Sequence, residues 1–241
     1  MIANRHSSAS EANPNLSKKE GELTNCEFIS TTAFKEGSIL LLGGSSLAHF
    51  RIRVAQSHLK HDMIPSCWSL AAILLSKDMF VTVPLDMHQD VSKVPSTNGI
   101  MSCQMSDYDN PDLFPNIAVL EFSTDHKEIA EKIETLKMGR MGIMDLPALI
   151  IPWIGYIWGV GRQGNPLFEE CGLPGAAFVE AVYSLAGTEL TPGLSSRSSC
   201  PEAIWQGAKW WHDYYQTAAM APPKGAVMIR QPKAAILAQD R

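Results

Sequence analysis

The sequence predicts one α+β domain, and three observations carry that expectation. The chain has 241 residues with 45% hydrophobic content, ample for one substantial core. Short apolar runs bounded by turn residues recur between 38 and 122, as strands do. Two later segments instead place apolar residues at helical spacing, around 129–136 and 175–186.

Residues 1–30 are polar and read as a disordered tail, with the domain spanning 31–241. The first ordered element is expected near Gly37, where Ser38–Leu42 is a buried strand ending in Gly43-Gly44. His49–Gln56 fits either a short helix or a strand. Trp68–Leu75 is a core strand, paired with Phe80–Val83 through the polar turn Ser76-Lys77-Asp78. Residues 86–116 are rich in Asp, Ser, Asn and Pro and read as loop with short pieces of strand. Ile117–Phe122 is another strand. A helix follows, capped by Ser123 or Thr124, with Ile129, Ile133 and Leu136 on one stripe and Gly139 at its end. A second helix runs from Gly175 to Ala186 with Phe178, Val179, Val182 and Leu185 inward and Gly187 as its stop. Pro201–Tyr215 is a third helix, whose Trp205, Trp210 and Trp211 pack the domain's end, and Ala226–Ile229 is a last strand.

Composition excludes some functions. The formal net charge is −5 and no basic run appears, so a nucleic-acid partner is not expected. The five cysteines, Cys26, Cys67, Cys103, Cys171 and Cys200, include no CxxC pair, which argues against a zinc ribbon or a thioredoxin-type site. His58, His61 and Asp62 read as a solvated loop rather than a metal site, and no cofactor is expected. No secretory signal is recognisable, which fits a cytoplasmic protein or one secreted without a cleaved signal.

Leu146–Gly161 reads LPALIIPWIGYIWGVG, 16 residues without a charge. A spanning helix needs about 20 apolar residues, so no transmembrane helix is expected. Pro147, Pro152 and the glycines argue against a regular helix. The expectation is a buried, kinked connection beneath the core; an apolar substrate groove or a membrane-touching loop is the alternative.

Four segments, taken in order, resemble the circularly permuted NlpC/P60 group of papain-like proteins, the branch with YiiX-type and lecithin retinol acyltransferase-like hydrolases. Lys35–Leu42 is similar to the family's opening strand, with Ser38 where Asp is usual. Ser69–Leu75 is similar to the strand that usually begins Ser-His. Ile117–Met141, followed by Met144-Asp145, is similar to the strand and helix that precede the nucleophile. Gly175–Gly187, with Glu189–Pro192 and Cys200-Pro201 after it, is similar to the nucleophile helix, which usually begins Cys-Ser-x-Phe-Val. The resemblance covers about residues 35–207 and implies an antiparallel sheet packed against a nucleophile-bearing helix.

The chemistry implied is that of a thiol hydrolase. A cysteine in the first turn of a helix gains thiolate stability from unpaired N–H groups, and a histidine on the facing strand takes its proton. Here Gly175 stands at the nucleophile position and Leu70 at the base position, so neither role is filled. Three residues offer substitutes. Cys171 precedes Gly175 by four residues, Cys67 precedes Leu70 by three, and His49 lies in a stretch similar to the His-Trp-x-Ile strand of the acyltransferase-like branch. Arg51 and Arg53 beside His49 suit an exposed edge.

The leading expectation is a catalytically degenerate, effector-type domain that binds a protein, peptide or lipid-like ligand. Its cleft would lie between the Gly175 helix and the Leu70 strand, lined by residues 146–161. The alternative is an active amidase, acyltransferase or lipase using Cys171 with His49.

Overall fold

Strand β1 (Ile39–Gly43) is buried along its whole length, and the fold is assembled around it. The computed structural model describes residues 23–85, 97–139, 144–159, 164–218 and 221–231. β1 pairs antiparallel with β2 (Leu70–Leu74) on one side and with β5 (Asn116–Glu121) on the other. β3 (Met79–Thr82) and β4 (Met101–Gln104) extend the sheet beyond β2, and β6 (Lys224–Ile229) extends it beyond β5. The result is a six-stranded antiparallel sheet of order β4-β3-β2-β1-β5-β6.

Both faces of this sheet are covered, which is why its central strands read as unbroken apolar runs rather than alternating ones. On one face Ile39, Leu41, Ala71, Ile73, Val81, Ala118 and Leu120 join a core with Ile52 and Ala55 of a short helix and with four longer helices. The longer four are α3 (His126–Lys137), α4 (Pro147–Trp158), α5 (Pro174–Leu185) and α6 (Pro201–Thr217). On the other face Leu40, Leu42, Leu70, Ala72, Leu74 and Phe80 pack with Phe28, Ile29, Met105, Tyr108 and Phe114. The expected α+β class is therefore observed, with six helices among the described residues counting α1 (Asn25–Thr31) and α2 (Leu47–Ala55).

Several sequence expectations are corrected. The domain begins before residue 31, because Asn25–Thr31 is a helix rather than tail. Thr24 and Glu27 close a capping box over its first turn, and Phe28 and Ile29 are buried. Asn25 also donates to the carbonyls of Tyr108 and Phe114 at 2.8 and 2.9 Å. Residues 1–22 lie outside the described residues. So do 86–96 of the expected loop; the remainder holds β4 and a 3-10 turn at Met105–Tyr108. Helix α3 is capped by Asp125, whose carboxylate accepts from the N–H of Lys127, rather than by Ser123 or Thr124. Ile129, Ile133 and Leu136 form the expected buried stripe. In α5, Leu185 is exposed, and in α6 Trp210 is half in water while Trp205 packs on Trp68 at 5.2 Å.

Within the apolar stretch at 146–161, Pro147–Trp158 forms a helix, against expectation; residues 160 and 161 lie outside the described residues. Pro147 sits in its first turn, where no N–H is missed. Gly159 ends it in the left-handed conformation with φ 67°. Pro152 removes one internal hydrogen bond, and tertiary packing of Leu149, Trp153 and Ile157 outweighs that loss. Among the described residues no helix is long and apolar enough to cross a membrane.

His49–Gln56, undecided from sequence, is helical in α2, capped by Ser46. Arg53 is not on an exposed edge: it is fully buried. Its guanidinium donates to the carbonyl oxygens of Ser66 at 2.6 Å, Gly44 at 3.3 Å and Gln231 at 3.2 Å. It thereby ties the end of β1, the segment before β2 and the segment after β6 to one helix. Burial lowers its pKa without a carboxylate partner among these contacts. Replacing it removes the donor from the buried Ser66 and Gly44 carbonyls, while Gln231 keeps Asn116 Nδ2 at 2.9 Å, so Arg53→Met is expected to lower stability by about 2 kcal/mol or more in urea unfolding, against less than about 1 kcal/mol for the exposed Lys77→Met.

Candidate functional site

The site implied by the sequence lies where the N-terminal turn of α5 meets β2 and β3. Pro174 opens the helix, and Leu173 is fixed by its N–H to the carbonyl of Ser199 at 2.9 Å. Gly175 is the next residue, and its lack of a side chain is enforced by its neighbours. A Cβ at 175 would lie 2.7 Å from Thr82 Oγ1 and 2.8 Å from the Ala71 carbonyl oxygen. Thr82 cannot simply turn aside, because its hydroxyl donates to that same Ala71 carbonyl at 2.7 Å. The helix therefore approaches the sheet more closely than any residue but glycine allows.

Leu70, at the implied base position, packs with Leu40, Leu42 and Ala72 on the opposite face of the sheet from α5. The β2 residue that turns toward α5 is Ala71. Strand alternation thus places Leu70 on the wrong face for any exchange of protons with residue 175.

Of the substitute residues, the structure brings only His49 to this place. His49 is buried in α2, its ring edge-on to Phe114 at 5.3 Å and laid against Gly44. With Ser69, Leu70, Ala71, Leu173, Gly175 and Pro201 it lines a cavity of about 20 Å³, although the Leu70 side chain packs in the core on the other face of the sheet. That is space for roughly one water molecule, not for a substrate. The cleft expected between α5 and β2 is closed, and α4 does not line the cavity.

The two candidate thiols lie elsewhere. Cys171 follows a 3-10 turn at Pro166–Glu169; its Sγ is 4.0 Å from the Leu149 carbonyl in α4, and its own carbonyl accepts from Trp153 Nε1 at 3.2 Å. Cys67 is half-buried, and its carbonyl accepts from Asn116 Nδ2 at 3.2 Å. Burial pushes both thiols above their ordinary range; Arg197 opposes this at Cys171 and Arg53 and Lys60 at Cys67, without reversing it. Burial likewise pushes Cys200 up to about 12. A nucleophilic thiol requires the opposite shift. Among the described residues no group of three His, Cys, Asp or Glu side chains could hold a metal ion, and His58 instead packs on Phe168.

The chain matches no family model, no curated protein and no solved structure.

The sequence reading missed two buried polar clusters that frame α5. Glu180, midway along the helix, accepts from Thr191 Oγ1 at 2.5 Å and Ser199 Oγ at 3.4 Å. Desolvation raises its pKa to about 7, with the two hydroxyls opposing. A single acid inside the apolar run GAAFVEAVYSLAG was the available signal. The second cluster centres on Glu202 in the first turn of α6. It accepts from Ser66 Oγ and Gln206 Nε2, each at 2.6 Å, while its N–H donates to Gln56 Oε1 at 2.8 Å. Gln56 in turn donates to the carbonyls of Ile52 and Trp68 at 3.0 and 2.9 Å. Both clusters are hydrogen-bonded to protein partners and serve to fix α5 and α6 against their surroundings.

Larger hollows lie outside the His49 cavity. A groove of about 400 Å³ between α6 and the β5–β6 edge is lined by Leu120, Trp205, Lys209, His212, Pro223 and Val227. A hollow of about 330 Å³ holds Asp145, Ser184 and Arg197.

Two outcomes follow. Gly175→Cys is expected to destabilise by about 1–3 kcal/mol through overpacking, read as a lower urea midpoint at unchanged slope. The folded protein favours protonated Glu180, so the native state binds more protons than the unfolded chain between about 4.5 and 7. Stability should be fullest below that window and fall as pH rises through it. Glu180→Gln should flatten this segment of the stability–pH curve and leave the variant more stable than the natural chain at pH 8; a curve of unchanged slope would contradict the assignment.

Proposed function

We propose that this chain is a degenerate permuted papain-like domain that acts by binding, as an effector-type protein, and performs no thiol chemistry. The observation that carries this reading is the contact of Gly175 with Ala71 and Thr82: the nucleophile position is sterically closed as well as empty. Three further facts support it. The base position faces away, no cysteine lines the cavity that holds His49, and the cavity accommodates no substrate. The α+β scaffold, with an antiparallel sheet against α5, agrees with the layout implied by the resemblance. Room for a ligand lies instead in the groove beside α6, whose size falls in the range of ligand sites, about 300–1,000 Å³. Its apolar walls with Lys209 at the rim suit a peptide or lipid-like ligand with an acidic group.

The test is labelling with a fluorescent iodoacetamide at neutral pH. The expected result is slow labelling of all five cysteines, none of them stoichiometric within the time a free thiol takes to react. Fast stoichiometric labelling of Cys171, together with loss of a measured amidase or acyl-ester hydrolase activity in Cys171→Ala, would replace binding with catalysis.

A further inference from the structure

Helix α4 carries an apolar face that the described residues leave exposed. Its twelve residues include no charged side chain. At about 100° per residue, Leu149, Trp153 and Ile157 share the buried face, and Ala148, Ile151, Gly155 and Trp158 share the opposite one. Ile151 is 75% exposed and Trp158 59%. Elements packed beside α4 add further exposed apolar side chains, Leu47 on α2 and Phe168 in the 166–169 turn. Scattered exposed apolar residues are ordinary, whereas a whole helix face of them marks an interaction surface.

We propose that this face docks on a phospholipid bilayer, with α4 lying in the boundary between headgroups and acyl chains. The chemistry of the face selects lipid over protein. Protein interfaces carry about one hydrogen bond per 100–200 Å² and a polar rim. The outward side chains of α4 offer a single hydrogen-bonding group, the indole N–H of Trp158, at the helix end where interfacial tryptophans anchor. Lipid demands no polar partner, because the helix satisfies most of its own backbone. Twelve residues are too short to span and long enough to lie in the interface.

A cation at the C-terminal end of the helix fits an anionic surface. Arg51 of α2 donates to the carbonyl of Ile157 and so holds a cation beside Trp158. Asp145, the acid at the N-terminal end of α4, is turned to the helix itself and accepts from the N–H of Ala148 at 3.3 Å. Bilayer contact here requires nothing of the α5 site, so it holds or fails separately from the binding reading above.

The experiment is co-sedimentation of the full chain with vesicles of phosphatidylcholine and phosphatidylglycerol. The natural chain should pellet with the vesicles. The double variant Ile151→Asp, Trp158→Asp should bind at least about tenfold more weakly, since it removes two large apolar anchors and adds two like charges. Both positions are exposed, so its thermal midpoint and circular dichroism should match those of the natural chain. Trp210→Asp, at an exposed tryptophan on α6, should leave sedimentation unchanged. Failure of the natural chain to pellet, or equal pelleting by the double variant, would overturn the assignment. Light scattering that showed a natural dimer and a monomeric double variant would also overturn it, in favour of a second copy on this face.

Discussion

The close approach of α5 to the sheet is the constraint on which the remaining architecture depends. Ten consecutive residues of this helix, Pro174 to Tyr183, are buried, so every side of it must be covered. The sheet covers one side through Ala71, Ile73, Val81 and Val83, α3 and α4 cover others, and the 190–199 loop and α6 close the rest. Gly175 makes the contact with the sheet possible, because its missing Cβ leaves the Ala71 carbonyl and the Thr82 hydroxyl room to meet. The Tyr183 hydroxyl pins the other end, donating to the Gly37 carbonyl at 2.6 Å. A helix held this tightly is a structural element first.

That tightness conflicts with thiol catalysis on the same helix. A catalytic thiol needs a side chain at the helix start, space for an acyl group and a base on the near face. Here the first is excluded by backbone contacts, the second is reduced to about 20 Å³, and the third is supplied only by His49 from a different element. The polar groups around α5 are committed to one another: Glu180 to Thr191 and Ser199, Glu202 to Ser66, Gln206 and Gln56. Such bonding gives a helix a fixed position and leaves little with which to act on a substrate.

What was legible in the sequence follows from physical scale. Strands β1, β2, β3 and β5 were readable because burial on both faces gives an unmistakable apolar run, and α3 because its stripe repeats at helical spacing. Local devices were readable in principle but passed over: the Thr24–Glu27 box marks α1 in a region that composition alone assigns to tail. The facing of Leu70 was not readable, because matching segments by residue type carries no information on which side of a pleated strand a residue stands. Arg53 was misread for the complementary reason. A charge suggests solvent, yet three carbonyl oxygens from three distant parts of the chain can hold a guanidinium in the interior, and no local pattern announces them.

Helices α4 and α5 show why charge count is a poor guide to burial. α5 carries Glu180 and is enclosed; α4 carries no charge and stands half in solvent. The acid is tolerated inside because two hydroxyls donate to it and because burial shifts it toward its protonated form. The apolar face stands outside at a hydrophobic cost, since none of the described residues covers Ile151 or Trp158. A buried acid with satisfied partners needs no function to account for it. An uncovered row of Ile151 and Trp158 has no such internal account, since neither residue contributes to the core that holds α4 in place. A partner outside the chain would remove that cost, as the bilayer proposed above would. Such a contact would place the molecule's function on its outer surface rather than at the start of α5.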